Sequence, residues 1–342
     1  MSFSHASQPD AIDRRLCVAP MLDWTDRHCR MFHRWLSPHA LLYSEMVTTG
    51  ALIHGEVARH LDFSSQEHPV ALQLGGSDPH ELASCAKLGE QWGYVEVNLN
   101  CGCPSERVQR GAFGACLMAE PKLVADCLKA MQDAVSIPIT VKHRIGIDQQ
   151  ESYGFVRDFV GAQYEAGCRV FIVHARNAIL KGLSPKENRE IPPLRYEVAH
   201  QLKTDFANCQ IIINGGIDSI QAVQAHWERV DGVMIGREAY HRPEFLFELE
   251  QCIEAPDSSP SALLDNPEMA TTLKAHMIRY LTDWVSQGNY AGSVTRHWLG
   301  LHRGRKGSRR WRQLFSDHRE LALLKDSPSI QAFFERGDAC FS

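Results

Sequence analysis

The runs "QIIINGG" (210–216) and "DGVMIGR" (231–237) decide how this chain folds. Each is apolar on consecutive positions and reaches a glycine at its end. Consecutive apolar residues mark a strand covered on both faces, the situation of a parallel sheet wrapped in helices. Six runs of the same kind precede them: "LCVAPM" (16–21), "ALLYSEM" (40–46), "VALQLGG" (70–76), "YVEVNLN" (94–100), "IPITVKHR" (137–144) and "RVFIVHA" (169–175). Between runs lie segments of helical periodicity, such as "HELASCAKLGEQWG" (80–93) and "SYGFVRDFVGAQYEAG" (152–167), each closing on a glycine suited to a helix C-terminus. Eight strands with helical crossovers predict an α/β fold, a (β/α)8 TIM barrel of about 250 residues. A doubly wound open sheet is the alternative.

Past residue 250 the alternation stops. "EAPDSSPSALLDNP" (254–267) reads as a linker, and only helical patterns follow, in "TTLKAHMIRYLTDWVSQG" (271–288) and "SIQAFFERG" (329–337). The expected organisation is a barrel over 1–253, a linker over 254–267 and a small all-helical domain over 268–342. The opening "MSFSHASQPDAIDRR" is polar, and no later stretch is apolar enough to span a bilayer, so no membrane partner and a cytoplasmic location are expected. There the eleven cysteines, an odd number, should be reduced. A net charge of −5 argues against indiscriminate nucleic-acid binding. One stretch runs against it: "RHWLGLHRGRKGSRRWR" (296–312) carries Arg296, Arg303, Arg305, Lys306, Arg309, Arg310 and Arg312 with no acid, and interleaves Trp298 and Trp311. Either it is a solvated basic face or it meets RNA phosphates.

The stretch "EVNLNCGCPSERVQRGAFGACLM" (96–118) gathers Cys101, Cys103 and Cys116. Cys101 and Cys103 are too tightly spaced for a zinc knuckle, and no second Cys or His pair follows, so no structural metal is expected. An inert turn or a chemically used thiol remains. In a barrel the active site lies at the C-terminal strand ends, where the sequence places Met21, Asp23, Glu45, Gln73, Asn98, Asn100, Lys142, His143, His174, Arg176, Asn214 and Arg237. "INGGI" (213–217) and "IGRE" (235–238) put glycines after the last two strands, where backbone N–H groups and helix N-termini receive a phosphate; Arg237 adds a charge. Gln73 and Asn98 offer donors and acceptors to a flat polar heterocycle. Lys142 suits a ring that becomes anionic on reduction, although a Schiff-base lysine is its rival role. The set favours FMN over a sugar phosphate.

The motifs "APMLDWTD" (19–26), "QLGG" (73–76), "VNLNCGCP" (97–104), "GAFGACLM" (111–118), "VKHRIG" (141–146), "VHAR" (173–176), "NGGI" (214–217) and "GREAY" (236–240) resemble the tRNA-dihydrouridine synthases. "ILKGLSPKENREIPPLRYE" (179–197) and "TRHWLGLHRGRKGSRRWR" (295–312) resemble their DusA branch, and the likeness runs from about Leu16 to Arg312. The resemblance implies reduction of uridine to 5,6-dihydrouridine at positions 20 and 20a of the tRNA D-loop, with bound FMN recharged by NADPH. It implies an FMN-binding barrel followed by a helical domain, with FMN at Pro20, Met21, Gln73, Lys142, His174, Asn214, Gly215, Gly216, Gly236 and Arg237. Hydride passes from reduced FMN to C6 of the uracil, and Cys103 delivers the proton to C5; only the correspondence with Pro104 selects it over Cys101. A cysteine suits that step because a free thiol, with a pKa of about 8.5, is mostly protonated at neutral pH. Asn100 corresponds to a contact of the target nucleotide.

The target uracil must be turned out of the RNA to reach such a pocket. Arg296, Arg303, Arg305 and Lys306, followed by Lys186 and Arg189 in the loop after the sixth strand, are the expected tRNA contacts. NADPH is expected to visit the same mouth, since no separate dinucleotide fingerprint is present, and the chain is expected to be a monomer. Two other readings remain at this stage: a flavoenzyme acting on a free pyrimidine, which has no use for the basic stretch, and a non-catalytic RNA-binding protein, which needs neither Lys142 nor a phosphate turn.

Overall fold

Leu16, Cys17 and Val18 pair in parallel with Val233, Met234 and Ile235, and that contact closes the sheet. In the computed structural model, which describes residues 12–256 and 259–341, eight strands follow one another around the closed barrel. They are β1 (Leu16–Val18), β2 (Leu41–Thr48), β3 (Val70–Gly75), β4 (Glu96–Cys101), β5 (Ile139–Arg144), β6 (Val170–His174), β7 (Gln210–Asn214) and β8 (Gly232–Ile235). All eight apolar runs of the sequence are strands, and the open-sheet alternative is set aside.

Side chains on a strand alternate between two faces. Inward-facing Cys17, Leu41, Tyr43, Ala71, Ile172, Ile212 and Met234 fill the barrel. Outward-facing Leu42, Leu72, Val97, Val141, Phe171 and Ile211 belong to the layer between sheet and helices. Helix Pro79–Gln91 starts where the Asp78 carboxylate accepts from the N–H groups of His80 and Glu81, and Gly93 follows its end with φ +92°. Helix Tyr153–Glu165 starts at a Ser152 cap and is followed by Gly167 at φ +97°. Both glycines occupy the left-handed region that ends helices at little steric cost.

After Ile235 every element of the described residues is helical, the longest being Glu244–Glu254, Pro267–Ser286 and Ser327–Asp338, with Ser308–Ser316 carrying part of the basic stretch. The polar opening of the chain, residues 1–11, and Asp257 and Ser258 of the expected linker lie outside the described residues. Trp298, Phe315, Phe333 and Phe334 are fully buried together, and Trp311 stacks on Phe315 with centroids 3.7 Å apart. Burying phenylalanines of this kind contributes roughly 1.5–3 kcal/mol each. The two tryptophans interleaved in the basic stretch are thus core residues, which leaves its exposed charges as what could face RNA. Trp298 also reaches Phe32 of helix Arg27–Leu36 (6.3 Å), so the aromatic core runs into the outer layer of the barrel. Among the described residues no helix is long and apolar enough to cross a membrane, and all eleven cysteines are unpaired.

Candidate active site

The C-terminal strand ends surround a cavity of about 600 Å³, a size usual for a small-molecule or cofactor site. Of the expected FMN set, Pro20, Met21, Gln73, Lys142, His174, Asn214, Gly215, Gly216, Gly236 and Arg237 all line it. Asn100, Cys103, Arg189 and Arg303 line it too. Asp23, Glu45, Asn98, His143 and Arg176, also expected at the rim, do not.

Strand alternation sorts the residues of β4 and β5. Glu96, Asn98 and Asn100 point into the barrel, while Val97, Leu99 and Cys101 join the outer layer. Cys101 is fully buried there, and burial pushes its thiol pKa far above the ordinary value. Cys103 lies beyond the strand end, partly exposed on the cavity wall. Its N–H donates to Asn100 Oδ1 (3.0 Å), and its carbonyl accepts from Ala115 N–H (2.9 Å). Cys116 does not line the cavity; its Sγ lies 3.0 Å from the Phe113 carbonyl. The three cysteines that sequence left together thus have three different environments.

On β5, Lys142 and Arg144 share the inward face, so His143, expected at the rim, points away. It packs between Phe159 and Phe171, with Nδ1 donating to the Arg144 carbonyl at 2.6 Å. Arg144 is the residue that sequence reading passed over, although the same i, i+2 period placed it beside Lys142. Its guanidinium donates to the carbonyls of Gly102 (3.1 Å), Asn177 (3.3 Å) and Asn188 (3.1 Å) while lining the cavity. Burial, then the Arg144 charge, lowers the Lys142 pKa to about 7. Burial, then Arg144 and Lys142, holds His174 well below its usual value, so its imidazole is neutral. The Cys103 sulfur is close enough to interact electrostatically with Lys142, Arg144 and Arg189.

Gly215 and Gly216 follow β7 with φ +120° and +66°. A Cβ at Gly215 would lie 2.8 Å from the His174 ring, and one at Gly216 2.6 Å from the Leu194 side chain. Here glycine is required by both backbone and space. The helix dipoles expected at the two turns contribute less than the sequence suggested. After β7 the next helix begins only at Ile220, and after β8 the helix Arg237–His241 is little over one turn. Arg237 is paired with Glu190 (2.9 Å), and Arg303 with Glu238 (3.6 Å). Neither guanidinium is a free charge.

The remaining expected tRNA contacts are spread outward from this mouth. Lys186, Arg305 and Lys306 are exposed and do not line the cavity. Arg305 lies over the Phe341 ring at 5.4 Å. Arg296 is ion-paired with Asp26, which also caps helix Arg27–Leu36 and accepts from the buried His297. The grouping of potential metal ligands found among the described residues is His39, Glu250 and Glu254, away from the cavity, with Glu250 already accepting from Ser37 and His39.

A solved 2-naphthoyl-CoA reductase, in complex with 2-naphthoyl-CoA, superposes with a TM-score of 0.55 over 70% of this chain at 11% identity, a likeness of fold alone. The chain spans half the length of that structure. Sequence relatives are much nearer. Proteins named tRNA-dihydrouridine(20/20a) synthase from Pseudomonas putida and Pseudomonas aeruginosa are 56% and 57% identical, over 92% and 90% of this chain and 91% of each relative. The Escherichia coli K12 protein of that name is 55% identical over 89% of this chain and 86% of its own. Residues 17–335 match the dihydrouridine synthase (Dus) family. With barrel, cavity and cysteine turn all inside the matched span, the chain belongs to the dihydrouridine synthase family of enzymes.

Proposed function

We propose that this chain reduces uridine to 5,6-dihydrouridine at positions 20 and 20a in the D-loop of tRNA. The activity is the one its relatives are named for, at more than half the residues identical along some nine-tenths of the chain. The observation that carries the chemistry is that, of the three clustered cysteines, Cys103 alone lines the cavity.

The cavity fits a bound FMN. The glycine turn 214–216 and Gly236 bring backbone close to a phosphate, and Lys142, Arg144 and Arg189 add cationic side chains to the lining beside the ion-paired Arg237 and Arg303. Gln73, His174 and Asn214 offer amide and imidazole groups to a polar ring, with Pro20 and Met21 beside it. When bound, FMN supplies the hydride that goes to C6 of the uracil, and NADPH recharges it. The chain itself does the rest. Cys103 holds the proton at Sγ and delivers it to C5; Lys142, Arg144 and Arg189 stabilise the thiolate left behind. Asn100, beside Cys103, has one amide hydrogen left for the base after donating to Gln73. The turned-out uridine enters past Arg189 and Arg303 at the mouth, and the exposed Arg305, Lys306 and Lys186 meet the RNA body. Arg296 serves chiefly as the tie to Asp26. On this reading residues 268–342 form the tRNA-binding unit, joined to the barrel by 254–267, and the enzyme works as a cytoplasmic monomer with reduced thiols.

The test separates the two half-reactions. Cys103→Ala should purify with flavin bands and be reduced by NADPH at the parental rate, yet form dihydrouridine roughly 100- to 10,000-fold more slowly. Cys101→Ala and Cys116→Ala should keep most activity. Equal losses at Cys101 and Cys103 would overturn the assignment, and a colourless wild-type protein would overturn the flavin.

A further inference from the structure

Beneath the cavity floor, a single file of buried polar groups runs up the barrel interior. At its foot Arg14 forms an ion pair with Glu96, Nε and Nη2 both donating to the one oxygen Oε2 at 2.8 and 2.6 Å. Thr140 donates its hydroxyl to Glu96 Oε1 at 2.6 Å and accepts from Asn98 Nδ2 at 2.8 Å. Asn98 Oδ1 accepts from Gln73 Nε2, and Gln73 Oε1 accepts from Asn100 Nδ2, each at 2.8 Å. Asn100 Oδ1 finally accepts from the N–H groups of Gly102 (3.1 Å) and Cys103 (3.0 Å). Glu96, Asn98 and Thr140 are at most 1% exposed and do not line the cavity.

From Asn100 down to Glu96 every bond in this file points the same way, towards the carboxylate. The carboxylate, locked by the arginine, can only accept, so the Thr140 proton is committed to it. The Thr140 oxygen must then accept, which turns the Asn98 amine downward and its carbonyl up. Gln73 and Asn100 follow in turn. An amide flip anywhere would set two donors or two acceptors face to face in a buried, low-dielectric space, where polar mismatch is costly. We propose that Arg14, Glu96, Thr140 and Asn98 are positioning residues that fix the amide orientations of Gln73 and Asn100, and through Asn100 Oδ1 the turn that carries Cys103.

The inference rests on the reading of Cys103 as the proton donor, and it adds to it four residues that touch neither substrate nor flavin. It explains why a barrel whose other inward positions are largely apolar holds a charged pair at its foot. The pair gives the file its direction. The chain ends on the two donors that only a correctly turned Asn100 can satisfy.

Thr140→Val keeps the shape of the side chain and removes both of its hydrogen bonds. With the holoenzyme, tRNA affinity and the rate of flavin reduction by NADPH should stay within about twofold of wild type. Single-turnover formation of dihydrouridine should fall roughly 10- to 100-fold, the scale of a small misplacement of a reacting group. Hydrogen exchange in the peptide containing Gly102 and Cys103 should quicken, a readout independent of turnover. Thr140→Ser, which restores the hydroxyl, should recover both signals. Tyr43→Phe is the control: it removes the other hydroxyl on the same Glu96 oxygen, at 2.7 Å, and leaves the file intact. It should leave turnover within twofold. Should the valine variant fold poorly, Thr140→Ala carries the same expectations. Wild-type turnover in Thr140→Val, or equal losses in Thr140→Val and Thr140→Ser, would overturn the inference while leaving the role of Cys103 standing. If Cys103→Ala itself retained full activity, the reading beneath it would fall instead.

Discussion

Lys142 carries its charge in a pocket that disfavours it. Burial, and then the Arg144 guanidinium, bring its pKa to about 7, so near neutral pH about half of the flavin-free molecules hold the ammonium. An anionic ligand beside it favours the charged form and raises that pKa. Above pH 7 the free protein has shed a proton that the complex retains, so FMN binding should take up to one proton and weaken as pH rises. Below pH 7 both states are protonated and the uptake disappears. The ligand phosphate, with a second pKa of about 6, is fully ionised at pH 8 and does not contribute there. Calorimetry at pH 8 in two buffers of different ionisation enthalpy should therefore report uptake for wild type and none for Lys142→Met; zero uptake in wild type would contradict this account. Sequence placed Lys142 at the rim correctly but gave His143 the same face. The two-residue period of a strand sends neighbours to opposite sides, and applying it would have chosen Arg144. The pairing of Arg237 with Glu190 was not legible, because one partner follows β6 and the other β8, 47 residues apart in the chain.

The barrel's elements were read almost completely, since each buried parallel strand leaves a run of consecutive apolar residues whose length and glycine punctuation survive without any tertiary information. What one element does to the next was harder to see. Gly215 illustrates this: the sequence marks a tight turn, and the fold adds the His174 ring at 2.8 Å from any Cβ. Gly215→Val should consequently push the turn and the imidazole apart and close the phosphate approach. The variant should remain folded, with a loss of roughly 1–3 kcal/mol from the strained backbone, and purify without flavin absorbance. Stoichiometric FMN in that variant would show that the phosphate lies elsewhere. The buried file from Glu96 to Asn100 belongs to the same scale. Three of its members were visible as letters in "EVNLN", but they join with Gln73 and Thr140 in one direction only once β3, β4 and β5 stand side by side.

For the molecule as a whole, the basic stretch reaches the cavity mouth at Arg303 and continues over the exposed Arg305, Lys306, Arg309, Arg310 and Arg312. If these meet tRNA phosphates, each lost contact should reduce the logarithmic salt slope of binding by roughly 0.7 to 0.9. Replacing Arg303, Arg305 and Lys306 together by alanine should weaken tRNA binding at low salt and flatten that slope. Flavin content and flavin reduction should be unchanged. Superimposable salt series for wild type and the triple variant would remove the RNA-docking role. The sequence signalled the charge of this region but not its support, because the tryptophans' spacing among the arginines does not say what they pack on. The packing of Trp298 against Phe32 and of Trp311 on Phe315 supplies that answer.

The pairing of β1 with β8 has a consequence for how the chain comes into being. The first strand leaves the ribosome early and must wait, its last neighbour absent, until residues 232–235 have been made. Contacts so remote in sequence fold slowly, and their unpaired edges are open to misassociation meanwhile. The wait does not end there. Phe32 of helix Arg27–Leu36 lacks one of its ring partners until Trp298 arrives from the far side of the sequence. Nascent chains stalled before residue 298 should thus present an open apolar face to chaperones, and release should follow completion of the C-terminal helices rather than of the barrel.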